Sequence, residues 1–236
     1  MPMTQYVFPP PPVVSVPVKG TDARFPVRRI FCVGRNYAAH AIEMGNPIDK
    51  ASSEPFYFTK SLDAILLSGS KMPYALSTKN FHYEMELVVA IGAPTFRVTE
   101  ADAEKVVFGY ACGLDLTRRD LQFAARDKGR PWDLGKDVEN GAVISEIVPF
   151  AELGMLKAGE IALSLNGELR QKSDLSYLIW SIPELIAHLS KFYHLQAGDL
   201  IYTGTPEGVG PVVAGDKILG HVEGVGKIEL EITSAE

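Results

Sequence analysis

Two carboxylates stand two residues apart in Phe81-His82-Tyr83-Glu84-Met85-Glu86-Leu87-Val88-Val89-Ala90-Ile91. The run reads as a strand, and side chains alternate faces along a strand. Glu84 and Glu86 therefore project from one face, roughly 7 Å apart at the backbone, with Tyr83, Met85, Leu87, Val89 and Ile91 on the other. Like charges aimed into one small space repel unless a cation lies between them, and hard oxygen donors favour Mg²⁺, Mn²⁺ or Ca²⁺. Taken alone, the motif fits two glutamates facing water on a half-buried strand equally well. Asp115 follows the strand-like run 106–114. A carboxylate at a strand end can reach an ion held from a neighbouring strand, or simply mark a turn.

Around these acids the chain offers groups suited to an anionic substrate. Arg119 and Gln122 are three apart on a short helical segment and so share a face, where they would aim a cation and an amide at whatever the metal binds. A solvated charged face is the alternative, and it suits Arg118 and Asp120 better. Lys136 follows the loop Gly129-Arg130-Pro131-Trp132-Asp133-Leu134-Gly135 and on its own reads as solvated. His40 and Glu43 are spaced to touch on another helix. A carboxylate bonded to imidazole fixes its tautomer and raises its basicity, as a water-activating base requires, although helix-surface pairs have the same spacing. The loop Thr203-Gly204-Thr205-Pro206-Glu207-Gly208-Val209-Gly210 could bind an anion through its amides and hydroxyls. It lacks the Lys-Ser/Thr ending and following helix of a P-loop, which excludes nucleotide binding of that kind.

The elements that must position these groups are mostly strands. Runs with strand character cover 29–33, 55–59, 64–67, 83–91, 106–114, 142–144, 161–165, 200–203 and 227–232. Asn166-Gly167 marks a hairpin, because a type I′ turn needs positive φ at both central positions. Helices are few and short. Ser181-Ile182-Pro183-Glu184 has capping-box spacing before an apolar stripe at Leu185, Ile186, Leu189 and Tyr193. Thr99 is placed to cap a helix through Lys105, and Thr117 a third over 118–126. A fourth spans 36–44 and is stopped by Gly45. The expected fold is α+β and β-rich, with short helices over its mouth.

The chain's 236 residues allow a full core, and 46% hydrophobic with 22% charged residues is ordinary for a soluble globular protein. A net charge of −6 gives no electrostatic case for nucleic acid or an anionic membrane as partner. Against that background each well-placed Arg or Lys is informative. Cys32 and Cys112 both lie in apolar runs and read as buried hydrophobes, so neither a disulfide framework nor a zinc cluster is available. No secretory leader or transmembrane run is visible, which makes a cytoplasmic location the default expectation. Residues 1–24 are Pro-rich and read as an extended arm, and 25–236 as one domain without a linker or repeat.

Five dispersed segments together resemble the fumarylacetoacetate hydrolase family. They are Val33-Gly34-Arg35-Asn36-Tyr37, His82-Tyr83-Glu84-Met85-Glu86-Leu87, the stretch from Gly113 to Gln122, Gly129-Arg130-Pro131-Trp132, and the stretch from Gly198 to Gly210, in family order. The small single-domain branch that cleaves acylpyruvates looks closest, and within it the members that act on fumarylpyruvate in gentisate and other aromatic breakdown. The resemblance implies a mixed β-roll or β-sandwich of the C-terminal domain type and usually a homodimer. It implies Mg²⁺ or Mn²⁺ on Glu84, Glu86 and Asp115, with Ca²⁺ as a further candidate. It assigns Arg119, Gln122, Thr205, Lys136 and Lys60 to the substrate, and His40 with Glu43 to water activation. Lys60 is followed by Ser61-Leu62 where relatives often carry Pro-Ser, a departure in that loop.

The implied reaction is hydrolysis of a carbon–carbon bond in a 2,4-dioxo acid such as fumarylpyruvate, through a metal-bound pyruvate enolate. Lys136 would either stabilise oxyanion charge or protonate the departing carbon. Decarboxylation of oxaloacetate, or isomerisation and decarboxylation of an oxo-diacid, would share that enolate without needing His40 and Glu43. A non-catalytic metabolite-binding homologue is the reading from another class, and the occupied chemical positions speak against it. The acyl group accepted depends on loops such as 44–53, whose shape the sequence leaves open.

Overall fold

The computed structural model describes residues 5–45 and 47–236; residues 1–4 of the Pro-rich segment and Asn46 of the 44–53 loop lie outside the described residues. A large mixed sheet runs in the order Tyr57–Lys60, Arg29–Val33, Asp199–Tyr202, Met85–Ile91, Val107–Asp115, Ala142–Ile144 and Ile65–Leu67. Val148–Pro149 also pairs with the long Val107–Asp115 strand. A second sheet orders Glu168–Asp174, Glu160–Leu165, Lys217–Val222, Gly226–Thr233 and Ser70–Pro73. Leu87, Val89, Cys112 and Leu114 from the first sheet share one core with Leu163, Ile218, Ile228 and Leu230 from the second. The two sheets thus pack face to face, as a β-roll or sandwich requires. Among the described residues no helix is long and apolar enough to cross a membrane.

The opposite face of the large sheet is also buried. Val88, Ala90, Ala111, Leu200 and Tyr202 pack there with Ile30 and Cys32, and Val16, Val18 and Phe25 cover them. The Pro-rich segment therefore runs into the body of the fold: Ser15–Pro17 pairs with Arg24–Pro26, and Val16 is fully buried. Filling Val16's site with alanine removes buried methyl groups and should cost about 1–3 kcal/mol, read as a lowered denaturation midpoint with unchanged slope.

Apart from the run 83–91, the expected strands are found within one or two residues of their bounds, but two of the helix expectations need correction. Thr117 does not cap a helix. It lies in the short strand Thr117–Arg118, donates its hydroxyl to the Asp115 carbonyl, and the helix Arg119–Asp127 begins after Arg118 with no side-chain cap. The helix expected over 36–44 is shorter, Ala38–Glu43. Asn36 is used elsewhere, donating to the carbonyls of Trp180 and Thr203 while accepting the Trp180 N–H. The Asn166-Gly167 turn has φ of 54° and 82°, as a type I′ hairpin requires. The Ser181–Glu184 capping box is formed at the head of Ile182–Leu189, and the Thr99-capped segment is a 3₁₀ turn over Glu100–Val106.

Candidate metal centre and substrate cleft

The strand expected over 83–91 is interrupted at Glu84. Phe81–Tyr83 belongs to a small sheet with Thr117–Arg118 and Gly210–Pro211, and Met85–Ile91 to the large one. Glu84 sits at the crossing point, and alternation survives it: Tyr83, Met85, Leu87, Val89 and Ile91 all enter the same apolar core. Glu84 and Glu86 do not face water, being 3% and 1% exposed. Asp115, 1% exposed, joins them from the adjacent strand, where Met85 pairs with Leu114 and the Asp115 N–H donates to the Glu84 carbonyl at 2.9 Å. One carboxylate oxygen from each of the three lies within 4.8 Å of the others.

Three cations meet this acidic cluster. Lys136, at the end of the short helix Asp133–Lys136, puts its ammonium 2.6 Å from Glu84, 2.8 Å from Asp115 and 2.8 Å from Thr117 Oγ1. Arg119 donates to Glu84 and, at 2.6 Å, to Gln122 Oε1. Lys60 donates to the carbonyls of Leu116 and Lys136 and lies 2.8 Å from Asp115 Oδ1, off the hydrogen-bond direction. None of these cations pairs with Glu86, whose carboxylate receives the Gly204 N–H at 2.7 Å. Gly204 adopts φ +100°, and a Cβ there would fall 2.7 Å from Asn36 Cβ, so the glycine is required for this approach. The glycine-rich loop binds an anion after all, and that anion is the protein's own carboxylate.

The electrostatics separate the two glutamates. Burial raises the pKa of Glu84, but the Lys136 and Arg119 charges outweigh it and hold the carboxyl well below its usual range. Burial, then the charges of Asp115 and Glu84, push Glu86 well above the ordinary carboxylate range. A buried carboxyl with two acidic neighbours, whose charges and burial outweigh the nearby Lys136 ammonium, is what a divalent ion would relieve. With Asp115 Oδ1 lacking a hydrogen bond, the all-oxygen donor set fits Mg²⁺ or Mn²⁺. For Lys136, burial acts to lower the pKa, yet Asp115 and Glu84 raise it overall, so the side chain is held as an ammonium.

Glu84, Arg119, Gln122, Lys136 and His40 line one cleft, of about 110 Å³. His40 Nδ1 lies 2.9 Å from Glu43 Oε2, and Glu43 Oε1 accepts the Gly208 N–H at 3.1 Å. Loop 203–210 therefore fastens both Glu86 and the dyad's carboxylate. Burial acts to raise the Glu43 pKa, but the His40 hydrogen bond and the Gly208 N–H bring it below its ordinary value. His82, beside Arg119, is pushed down to about 4 by burial and by that guanidinium, and is neutral at physiological pH.

Of the residues expected to hold substrate, Lys60 and Thr205 stand behind the cleft wall. Lys60 braces Asp115, and Thr205 accepts from Gln171 Nε2 at 2.9 Å. Sequence reasoning missed Gln171, which also receives the Met85 N–H at 3.0 Å and ties the loop to the Glu84–Glu86 segment. It also gave no role to Arg35 and Arg126, which line the cleft with Phe123 and Trp132. Arg126 was available as the i+7 position from Arg119.

Sequence comparison places the site in its class: residues 29–233 match the fumarylacetoacetate hydrolase C-terminal domain, and the chain belongs to that family. It is 58% identical over 193 residues to a fumarylpyruvate hydrolase from Ralstonia sp., spanning 82% of this chain and all of that one. A crystal structure of fumarylpyruvate hydrolase from Pseudomonas aeruginosa with Mn²⁺ and pyruvate superposes with a TM-score of 0.94 at 45% identity, covering 98% and 100% of the two chains. The mitochondrial oxaloacetate tautomerase of Bos taurus is 40% identical over 209 residues, 89% of this chain and 93% of that one.

Proposed function

We propose that this chain is a metal-dependent hydrolase that cleaves fumarylpyruvate, a 2,4-dioxo acid, to fumarate and pyruvate. The observation that carries this reading is one cleft lined by Glu84 of the Glu84–Glu86–Asp115 cluster, by Arg119 and Gln122, and by His40, which is bonded to Glu43. The Ralstonia relative is named for this activity, and pyruvate, one of its two products, occupies the Pseudomonas neighbour.

Mg²⁺, or Mn²⁺ in its place, would be held by Glu84, Glu86 and Asp115 and supply a Lewis acid that draws charge from the 2-oxo group. Arg119, oriented by Gln122, binds the acid end of the substrate. Glu43 fixes His40 through Nδ1, leaving Nε2 as the nitrogen that takes a proton from water. The water oxygen bonds to the acyl carbonyl carbon, the adjoining carbon–carbon bond breaks, and its electron pair stays with the pyruvate fragment, which then takes up a proton. Lys136 already has three acceptors for its three protons, and its pKa is raised. This supports a role as a fixed positive charge that stabilises oxyanion charge over one as the acid.

The oxaloacetate tautomerases share the family and match at lower identity, but their named reaction needs no water-activating pair. We further propose that the protein works as a homodimer in the cytoplasm, where its free buried thiols Cys32 and Cys112 suit a reducing environment. The deciding assay offers fumarylpyruvate, acetylpyruvate, fumarylacetoacetate and oxaloacetate with Mg²⁺ or Mn²⁺, following dioxo-acid absorbance and pyruvate release. Stoichiometric pyruvate from fumarylpyruvate supports the reading. Turnover of oxaloacetate alone replaces it with the tautomerase or decarboxylase class.

A further inference from the structure

The cleft carries more positive charge than the metal cluster and one carboxylate can use. Arg35 and Arg126 both line it, in a chain whose net charge is −6. Arg119, Gln122, Phe123 and Arg126 fall at i, i+3, i+4 and i+7 of the helix Arg119–Asp127, so one helix face runs from the metal cluster outward. The two arginines on that face are separated by seven residues, about 10 Å along a helix axis. A seven-carbon dicarboxylic chain, with bonds of about 1.5 Å, spans a comparable distance between its carboxylates once the reach of two guanidinium groups is included.

Aromatic rings set the orientation of both outer arginines. The Arg126 guanidinium lies 4.5 Å from the Phe123 ring centre, and that of Arg35 5.2 Å from the Phe56 ring centre. Stacking on a ring uses a guanidinium's face and leaves recognition to its N–H edges, the geometry that suits a carboxylate. Phe56 can occupy its place only because residue 34 is glycine: a Cβ there would lie 2.1 Å from two ring atoms. Arg126 also donates through Nε and Nη2 to the adjacent, exposed Asp127 at 3.0 Å, an ion pair at the surface of little strength. Both line the same cleft, and burial, then the neighbouring Arg126 charge, lower the Arg35 pKa, so the two cations repel. An anion between them would relieve that repulsion.

We propose that Arg35 and Arg126 form a distal carboxylate subsite that selects diacid substrates, in which the acyl group ends in a second carboxylate. This rests on the acylpyruvate hydrolase reading above and names its specificity. Arg119 holds the carboxylate near the metal cluster, and Arg35 with Arg126 holds the far one. Phe123 and Trp132 line the cleft with them, apolar walls suited to the carbon chain.

The test is the ratio of kcat/KM for fumarylpyruvate to that for acetylpyruvate, which has a methyl group where the distal acid chain would be. Arg126→Gln should lower this ratio about ten- to a hundredfold, the loss of a charge-assisted hydrogen bond, mainly through a raised KM for fumarylpyruvate. Arg126→Lys should restore part of it, since a point charge remains but the fork does not. Arg35→Gln should lower the ratio in the same sense, and the double variant further. If Arg126→Gln and Arg35→Gln lower turnover of both substrates equally, or leave the ratio unchanged, the subsite is overturned while the hydrolase reading stands. If the unsubstituted protein cleaves neither acylpyruvate, the hydrolase reading fails and the inference falls with it.

Discussion

Glu86→Gln should make the metal-free protein more stable and at the same time abolish its metal response and its turnover. The opposite signs follow from where Glu86 sits. Its pKa is pushed well above the carboxylate range by burial and by the charges of Asp115 and Glu84. A carboxyl whose folded pKa exceeds its unfolded value contributes most stability below the unfolded pKa and loses it as pH rises through the folded one. Metal-free protein should therefore lose stability as pH climbs above the ordinary carboxylate range. The Gln variant, which cannot ionise, should not share that loss. Its side-chain oxygen can still accept the Gly204 N–H, so the substitution removes the charge and keeps the hydrogen bond. Each kcal/mol relieved should appear as about 2–4 °C in Tm for a chain of this size.

With Mg²⁺ or Mn²⁺ the balance reverses. The ion binds the folded acids and displaces the Glu86 proton, so the unsubstituted protein gains Tm on metal addition, more at pH 8 than at pH 5. The Gln variant should show little or no gain. Its kcat should fall on the order of 10³-fold or more, since the Lewis acid supplies several kcal/mol of charge stabilisation. Calorimetric melts with and without chelator at both pH values read all three effects. A Gln variant that keeps the full metal-dependent gain would remove Glu86 from the metal centre.

The legible and illegible parts of this site have different physical origins. The i, i+2 spacing of Glu84 and Glu86 and the apolar partners at 83, 85, 87, 89 and 91 state the shared face directly, even across the break between two sheets. Burial was harder to read, because an alternating pattern ordinarily means one wet face. Here Val88 and Ala90 are buried as well, under Val16 and Val18 from the Pro-rich segment and Phe25 just after it, and no local signal announces that cover. Lys217–Val222 escaped notice as a strand because Gly220 and His221 break its profile. A Cβ at 220 would meet Met85 Sδ at 2.5 Å, so close packing of the two sheets requires the residue that hides the strand. Lys60 and Lys136 sit in separate short segments, and only the tertiary fold brings both onto Asp115. Thr117 has the chemistry of a helix cap, but its hydroxyl is committed to Asp115 and Lys136.

His40→Ala should lower kcat for acylpyruvate cleavage by about 10²–10⁴-fold while KM changes little, because the imidazole acts on water and Arg119 on the substrate acid. His40 is buried and bonded to Glu43 at 2.9 Å, and Glu43 is itself fastened by the Gly208 N–H. Glu43→Gln should therefore cost less, about ten- to a hundredfold, since the ring keeps its position but loses the carboxylate that orients it and faces the imidazolium formed on proton uptake. Glu43's pKa lies below its ordinary value, the His40 and Gly208 hydrogen bonds outweighing burial. The carboxylate thus remains ionised to more acidic pH than an isolated glutamate, so the acid limb of the kcat profile should not be set by Glu43. Added imidazole should restore part of the His40→Ala activity. Decarboxylation of oxaloacetate needs neither an attacking water nor proton abstraction from carbon, so the same variant should retain any such activity while losing hydrolysis. Near-normal acylpyruvate turnover by His40→Ala would move the base elsewhere and remove the dyad from the hydrolytic mechanism.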